Sequence, residues 1–190
     1  MMRFKAIMMA GITALTMAAC SSNESGSKVE AKSLSIDEAE LRPMPHFELE
    51  YLDGTHFDSN SLKGKVLFVD FWATWCGPCL HEIPDMIEMR RKYKEYGFEV
   101  VGVTVQSGDA DDIMPTVERL GMDYHVLIGN EKVMESFGGI WGFPTNFIIT
   151  KKGNIYKKFL GIYPDKAAVV EKDIRFLLGL DNMPSESESL

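Results

Sequence analysis

Cysteine is scarce in this chain, with three among 190 residues. A small fold stapled by disulfides needs more, so stability must come from an apolar core. At 45 % apolar and 25 % charged residues, the composition can supply one. Basic residues are outnumbered, 20 against 28, and form no run; a formal charge of −8 argues against a nucleic-acid surface. A long apolar run is missing at the N-terminus as well. Ala6–Ala19 is uncharged but too short for a comfortable membrane span, which takes roughly 20 residues. Internal repeats and low-complexity stretches are absent between Leu41 and Leu180. The length fits one domain with short extensions.

What stands at the ends is informative. Arg3 and Lys5 give a basic start, Ala6–Ala19 an apolar centre, and Ala18-Ala19-Cys20 a small-residue exit. Together they predict a cleaved signal peptide over residues 1–19. Met17-Ala18-Ala19-Cys20 resembles a bacterial lipoprotein signal, with Met17 where Leu is usual. The resemblance implies lipidation of Cys20 and anchoring by acyl chains rather than by a spanning helix. Removal of Arg3 and Lys5 leaves 18 basic and 28 acidic residues, a mature charge of −10. Residues 20–40, rich in Ser, Glu, Lys and Ala, read as a flexible tether with a reach on the order of 25 Å. Residues 181–190 (DNMPSESESL) read as an acidic disordered tail. The domain proper is expected over 41–180.

Within it, His46–Tyr51 and Thr55–Phe57 around Asp53-Gly54 predict a hairpin. Lys65–Trp72 and Phe98–Gln106 are near-continuous apolar runs, as in strands covered on both faces. Pro78–Tyr96, Asp109–Leu120 and Asp165–Leu178 predict helices closed by Gly97, Gly121 and Gly179. Tyr124–Ile128 suggests a short strand and Glu131–Phe137 a short helix. Thr145–Thr150 and Asn154–Phe159 predict a second hairpin across Lys152-Gly153. The order implies an α/β fold with a mixed central sheet and helices on both faces.

The chemistry gathers at Trp75-Cys76-Gly77-Pro78-Cys79, between a buried strand and a helix. Cys76 falls at the helix N-terminus, where free N–H groups and the dipole favour a thiolate. Pro78 suits a first turn, because its missing N–H would be unpaired there anyway. An exposed upstream thiol and a recessed downstream one would divide into attacker and resolver. A zinc site lacks its other ligands. Cys20 is otherwise engaged, His81 points elsewhere on the helix and reads as solvated, and His46, His56 and His125 are scattered. A purely structural link would restrain little chain in so small a loop.

Val69-Asp70-Phe71-Trp72-Ala73-Thr74-Trp75-Cys76-Gly77-Pro78-Cys79 resembles the active-site segment of thioredoxin, and Gly142-Phe143-Pro144-Thr145 resembles its cis-proline loop. Pro45-His46-Phe47, Leu52-Asp53-Gly54 and Leu62-Lys63-Gly64-Lys65 narrow the likeness to the TlpA/ResA-like branch of thioredoxin-family oxidoreductases, with Asp109–Ile128 as its central insertion. The resemblance implies a thioredoxin fold and a thiol–disulfide oxidoreductase. It makes Cys76 the attacking thiol and Cys79 the resolving one, with no cofactor beyond the Cys76–Cys79 redox disulfide. Asp70 becomes the buried acid that exchanges a proton with Cys79. Glu82 becomes a tuning carboxylate, with an ordinary solvated role as its alternative. Trp75, Gly77, Pro78, Phe143 and Pro144 become the substrate-contacting surface.

By the same resemblance, the partners are disulfide-bearing secreted proteins, apocytochromes among them, and a membrane electron donor. The expected setting is the periplasm-facing cell envelope, with the inner or outer membrane open, and the expected state is a monomer. Rival activities on this fold are an oxidant or isomerase, a thiol peroxidase and a copper-binding chaperone. The peroxidase pattern Thr-x-x-Cys is not met by Thr74-Trp75-Cys76, and the copper pattern needs one more residue between the cysteines. Trp72 and Phe71 read as core. Trp141 reads as either packing or platform. Asn146 has no functional reading, and Glu99, Glu118, Asp111 and Asp112 read as solvated.

Overall fold

The computed structural model describes residues 40–181. The signal peptide, Cys20, the tether and the tail beyond Asp181 lie outside the described residues.

Seven strands form one mixed sheet. They are β1 (Glu48–Tyr51), β2 (His56–Asp58), β3 (Val66–Trp72), β4 (Phe98–Thr104), β5 (His125–Ile128), β6 (Thr145–Ile149) and β7 (Ile155–Leu160). Their order across the sheet is β2-β1-β5-β4-β3-β6-β7. Strand β3 pairs parallel with β4 and antiparallel with β6, while β4 pairs parallel with β5. Helices α1 (Gly77–Tyr93), α2 (Ala110–Leu120), α3 (Glu131–Ser136) and α4 (Lys166–Leu178) complete the expected α/β architecture. Among the described residues, no helix is long and apolar enough to cross a membrane.

Every residue of β3 and β4 is buried, because both faces of the sheet are covered. Val66, Phe68 and Trp72 alternate onto one face and join Cys79, Ile83, Met86, Val170 and Ile174 from α1 and α4. Leu67, Val69 and Phe71 turn to the other face, toward Phe57, Val133, Phe137 and Phe147. Both Trp72 and Phe71 are therefore core. Predicted elements and observed ones differ mainly at their ends. The helix expected to reach Tyr96 is α-helical to Tyr93 and then tightens into a 3-10 turn over Lys94–Tyr96 before Gly97.

Glu99 corrects the sequence reading. It is buried, since central strand β4 has no solvated face. Its carboxylate accepts from Arg90 Nε and from the Val100 N–H at 3.1 Å, and Lys65 Nζ lies 3.7 Å away. Burial alone would raise its pKa, but the Arg90 hydrogen bond leads the opposing contributions and holds it below the ordinary range. Glu118, Asp111 and Asp112 are exposed as expected, with Asp112 completing a capping box with Asp109.

Replacing Glu99 with Gln is expected to cost about 2 kcal/mol at neutral pH, the usual worth of hydrogen bonds to a charged group. A depressed native pKa gives stability that is present above the ordinary Glu value, about 4.3, and lost as pH falls. Urea melts of both forms should therefore converge in acid. An equal gap at neutral and acidic pH would contradict this ionic role.

Candidate active site

Strand β3 ends at Trp72, and the chain turns through Ala73-Thr74-Trp75 into α1. Cys76 is the N-cap residue of α1, and Pro78 sits in the first turn. The Cys76 sulfur accepts from the Cys79 N–H at 3.3 Å. A thiolate at Cys76 would thus receive a backbone donor and the positive end of the helix dipole. The two sulfurs are joined as a disulfide, with Cα atoms 5.3 Å apart. Cys76 is 5 % and Cys79 1 % exposed. The expected order of accessibility holds, but Cys76 is not an exposed thiol in this oxidised form. It is part of the apolar cluster under the sheet.

The loop after β4 props this turn from behind. Thr74 donates its N–H to Ser107 Oγ at 3.0 Å, and Trp75 donates its indole N–H to the Gln106 carbonyl at 2.8 Å. Gln106 has a left-handed backbone, with φ of 51°. Gln106 and Ser107 were not legible as site residues, because a backbone acceptor and a local turn leave no composition signal.

A groove runs over Cys76 and Gly77-Pro78, between Trp75 and the loop Ile140–Phe143. Trp75 is 61 % exposed and meets the Phe143 ring edge-on at 5.8 Å. Trp141 is 94 % exposed, so it is not a packing residue. The Phe143–Pro144 peptide is cis, as the resemblance implied. No histidine lines the groove. His81 is exposed on α1, while His46 joins Glu48 and Asp58 on the N-terminal hairpin rather than standing alone.

By alternation β3 presents Asp70 to the sheet face whose core holds Phe68, Trp72, Cys76 and Cys79. On β4 its register partner is Gly102, where a Cβ would come within 3.1 Å of the Trp72 indole nitrogen and 3.2 Å of the Tyr124 ring. On β6 its partner is Asn146. The Asn146 amide donates to Asp70 Oδ1 at 2.6 Å. Lys166, at the start of α4, donates to Asn146 Oδ1 at 2.6 Å, to the Gly161 carbonyl at 2.6 Å and to Glu82 Oε1 at 2.7 Å. Asp70 and Glu82 are therefore the two ends of one chain of hydrogen bonds.

Glu82 is mostly buried at this contact, so its solvated alternative is set aside. Asn146 and Lys166 were not identified as site residues. The available signals were a polar residue inside an apolar strand and a cation in a helix's first turn, where the dipole disfavours it. Burial, reinforced by the Glu82 charge, pushes Asp70 up to about 7, against the pull of Lys166 and the Asn146 hydrogen bond. Burial also raises Glu82, with its hydrogen bond to Lys166 opposing.

The Redoxin family model matches residues 40–174. The thiol-disulfide oxidoreductase ResA of Bacillus thuringiensis (strain Al Hakam) is 33 % identical over 117 residues, covering 62 % of this chain and 67 % of that protein. The crystal structure of a thiol:disulfide interchange protein of the thioredoxin family from Chlorobium tepidum TLS aligns with a TM-score of 0.66 at 33 % identity. That alignment covers 73 % of this chain and 97 % of that one. The thioredoxin domain of a thiol-disulfide oxidoreductase from Bacteroides vulgatus aligns with a TM-score of 0.62 at 27 % identity, over 70 % and 95 % of the two chains.

The raised pKa of Asp70 has a stability consequence. The native carboxyl holds its proton to about pH 7, while the unfolded one ionises near 3.9. Stability is therefore lost as pH rises through that window. Asp70→Asn keeps the acceptor for Asn146 and removes this loss. The two forms should be equally stable near pH 4, and the variant should be more stable at pH 8 by on the order of 1–4 kcal/mol. Denaturant melts at both pH values check it; a variant that is less stable at pH 8 would contradict it.

Proposed function

The chain belongs to the Redoxin family and is a thiol–disulfide oxidoreductase with a thioredoxin fold, and we propose that it works as a reductase of disulfides in secreted proteins. The observation that carries the reading is the placement of the pair. Cys76 caps α1 at the floor of an open aromatic groove, with the buried acid Asp70 in the layer below.

In the reduced enzyme the Cys76 thiolate attacks a substrate disulfide. One sulfur–sulfur bond breaks, a Cys76–substrate mixed disulfide forms, and the first substrate thiolate leaves and takes a proton. Asp70, as carboxylate, takes the proton of the Cys79 thiol. The Cys79 thiolate attacks the Cys76 sulfur, closes the Cys76–Cys79 disulfide, and releases the second substrate sulfur as a thiolate, which takes up a proton. Two electrons have passed to the substrate. A dithiol carrier in the membrane returns them by the same exchange in reverse. No cofactor other than this disulfide takes part. Gly77-Pro78 between the cysteines supports a low potential, and so the reducing direction. Trp75, Gly77, Pro78 and Phe143 offer an apolar contact surface for an extended substrate segment, with the cis Pro144 following Phe143.

The setting we propose is the periplasm-facing cell envelope. Cys20 carries the lipid, residues 20–40 form the tether, and the catalytic domain acts as a monomer. The lipoprotein-like Met17-Ala18-Ala19-Cys20 supports this. Secreted apoproteins whose cysteines must be reduced before cofactor attachment, apocytochromes among them, are the substrates that fit such a reductase.

Two measurements test the reading. Cys79→Ala should trap mixed disulfides through Cys76 in cells, and mass spectrometry should identify exported proteins as the captured partners. Capture through another cysteine, or of cytoplasmic proteins alone, would refute it. Cys20→Ala should release the protein from membranes with its disulfide reductase activity in solution retained. A variant that resists high-salt washing would show that something other than lipid holds it.

A further inference from the structure

Lys166 is a cation in an unfavourable place. It occupies the first turn of α4, where the helix dipole opposes positive charge, and it is 5 % exposed. Its three N–H bonds are matched by three acceptors: Asn146 Oδ1, the Gly161 carbonyl and Glu82 Oε1. An ammonium only donates. The atom of Asn146 that faces it must therefore be the oxygen. The amide nitrogen is then left facing Asp70, 2.6 Å from Oδ1. An amide nitrogen also only donates, so Oδ1 must accept and cannot carry a proton on that side.

We propose that Lys166 is a positioning residue for disulfide exchange: by locking the Asn146 amide in one orientation, it confines the exchangeable proton of Asp70 to Oδ2. The idea rests on the reading that Asp70 exchanges a proton with Cys79. A carboxyl with two equivalent oxygens can hold its proton on either. Here a cation on a third element removes that choice. No proton need travel through the amide, and Lys166 touches neither sulfur in the mechanism.

Several groups bear on the titration of Asp70. Glu82 on α1 raises it, Lys166 on α4 and Asn146 on β6 lower it, and the buried Tyr124 ahead of β5 interacts with it. His81 and Asp85 act on Glu82 from α1. Without the lock, Asp70 loses a hydrogen bond to its ionised form. Its pKa rises, so less of it is ionised and able to take the Cys79 proton near neutrality, and the deficit closes as pH rises.

Ellman's reagent, mixed in stopped flow at less than one equivalent with the reduced protein, separates the two steps. The first thiolate released reports attack by Cys76. The second, independent of reagent concentration, reports attack by Cys79 on the mixed disulfide. Lys166→Met and Asn146→Leu should each slow the second phase about tenfold near neutrality, with the deficit shrinking at alkaline pH. The double variant should be no slower than either single one, because the two residues act in series. Lys166→Gln, which keeps a donor without the charge, should recover part of the rate. A first phase within twofold of the parent shows that attack by Cys76 is intact, and a cooperative urea melt shows that each variant is folded.

If Lys166→Met slows the second phase but Asn146→Leu does not, Lys166 acts through charge alone and the positioning role is overturned. An unchanged second phase in Lys166→Met overturns it as well. Asp70→Asn separates the two layers of the argument. If Asp70→Asn leaves the second phase unchanged, the reading of Asp70 itself fails. If it slows that phase while Lys166→Met and Asn146→Leu do not, only the positioning role fails.

Discussion

A carboxyl sealed in an apolar layer is the constraint around which this fold is arranged. Leaving one polar group unpaired in such a place costs several kcal/mol, and a charge costs more. Each neighbour of Asp70 answers that cost in its own way. Strand β6 supplies an amide at the matching register position. Strand β4 supplies a glycine, because any side chain there would crowd the Trp72 and Tyr124 rings. Helix α4 brings Lys166, and α1 brings Glu82 as that cation's counter-ion. Four elements far apart in sequence are tied to one buried acid, and the redox pair sits on the same layer.

Among the described residues there are two buried acidic centres, and their electrostatics contrast. Glu99 has Arg90 against it, with Lys65 close by, and is held below its ordinary pKa. Cations are in surplus there, and the site is at rest. Asp70 and Glu82 share a single lysine between two carboxyls, and both are pushed up. Cations are in deficit there, and one proton stays within easy exchange. A cluster left under-neutralised on the same sheet face as a dithiol has the electrostatic character that the proposed proton exchange calls for.

Much of this was legible in the residues. The unbroken apolar runs at Lys65–Trp72 and Phe98–Gln106 marked the central strands, and the cysteine spacing with Pro78 marked the helix start. Asp70 stood out because it interrupted such a run. Glu99 interrupted another and was misread as solvated, since pattern alone does not reveal that a partner waits on α1. Lys166 was overlooked for a related reason. A lysine on a helix is usually a solvated one, and only the three-dimensional meeting of α4, β6 and α1 gives it three acceptors. Periodicity reports which face a residue occupies; it does not report which remote side chain completes that face.

The location of Lys166 ties the site to the last helix of the described fold. Lys166 follows Cys76 by about 90 residues, and α4 is the last described helix. Until α4 docks, Glu82 has no cation and the Asn146 amide is free to turn either way. The hydrogen-bond chain from Asp70 to Glu82 is therefore closed only by α4, although both cysteines and the cis-proline loop precede that helix in the chain.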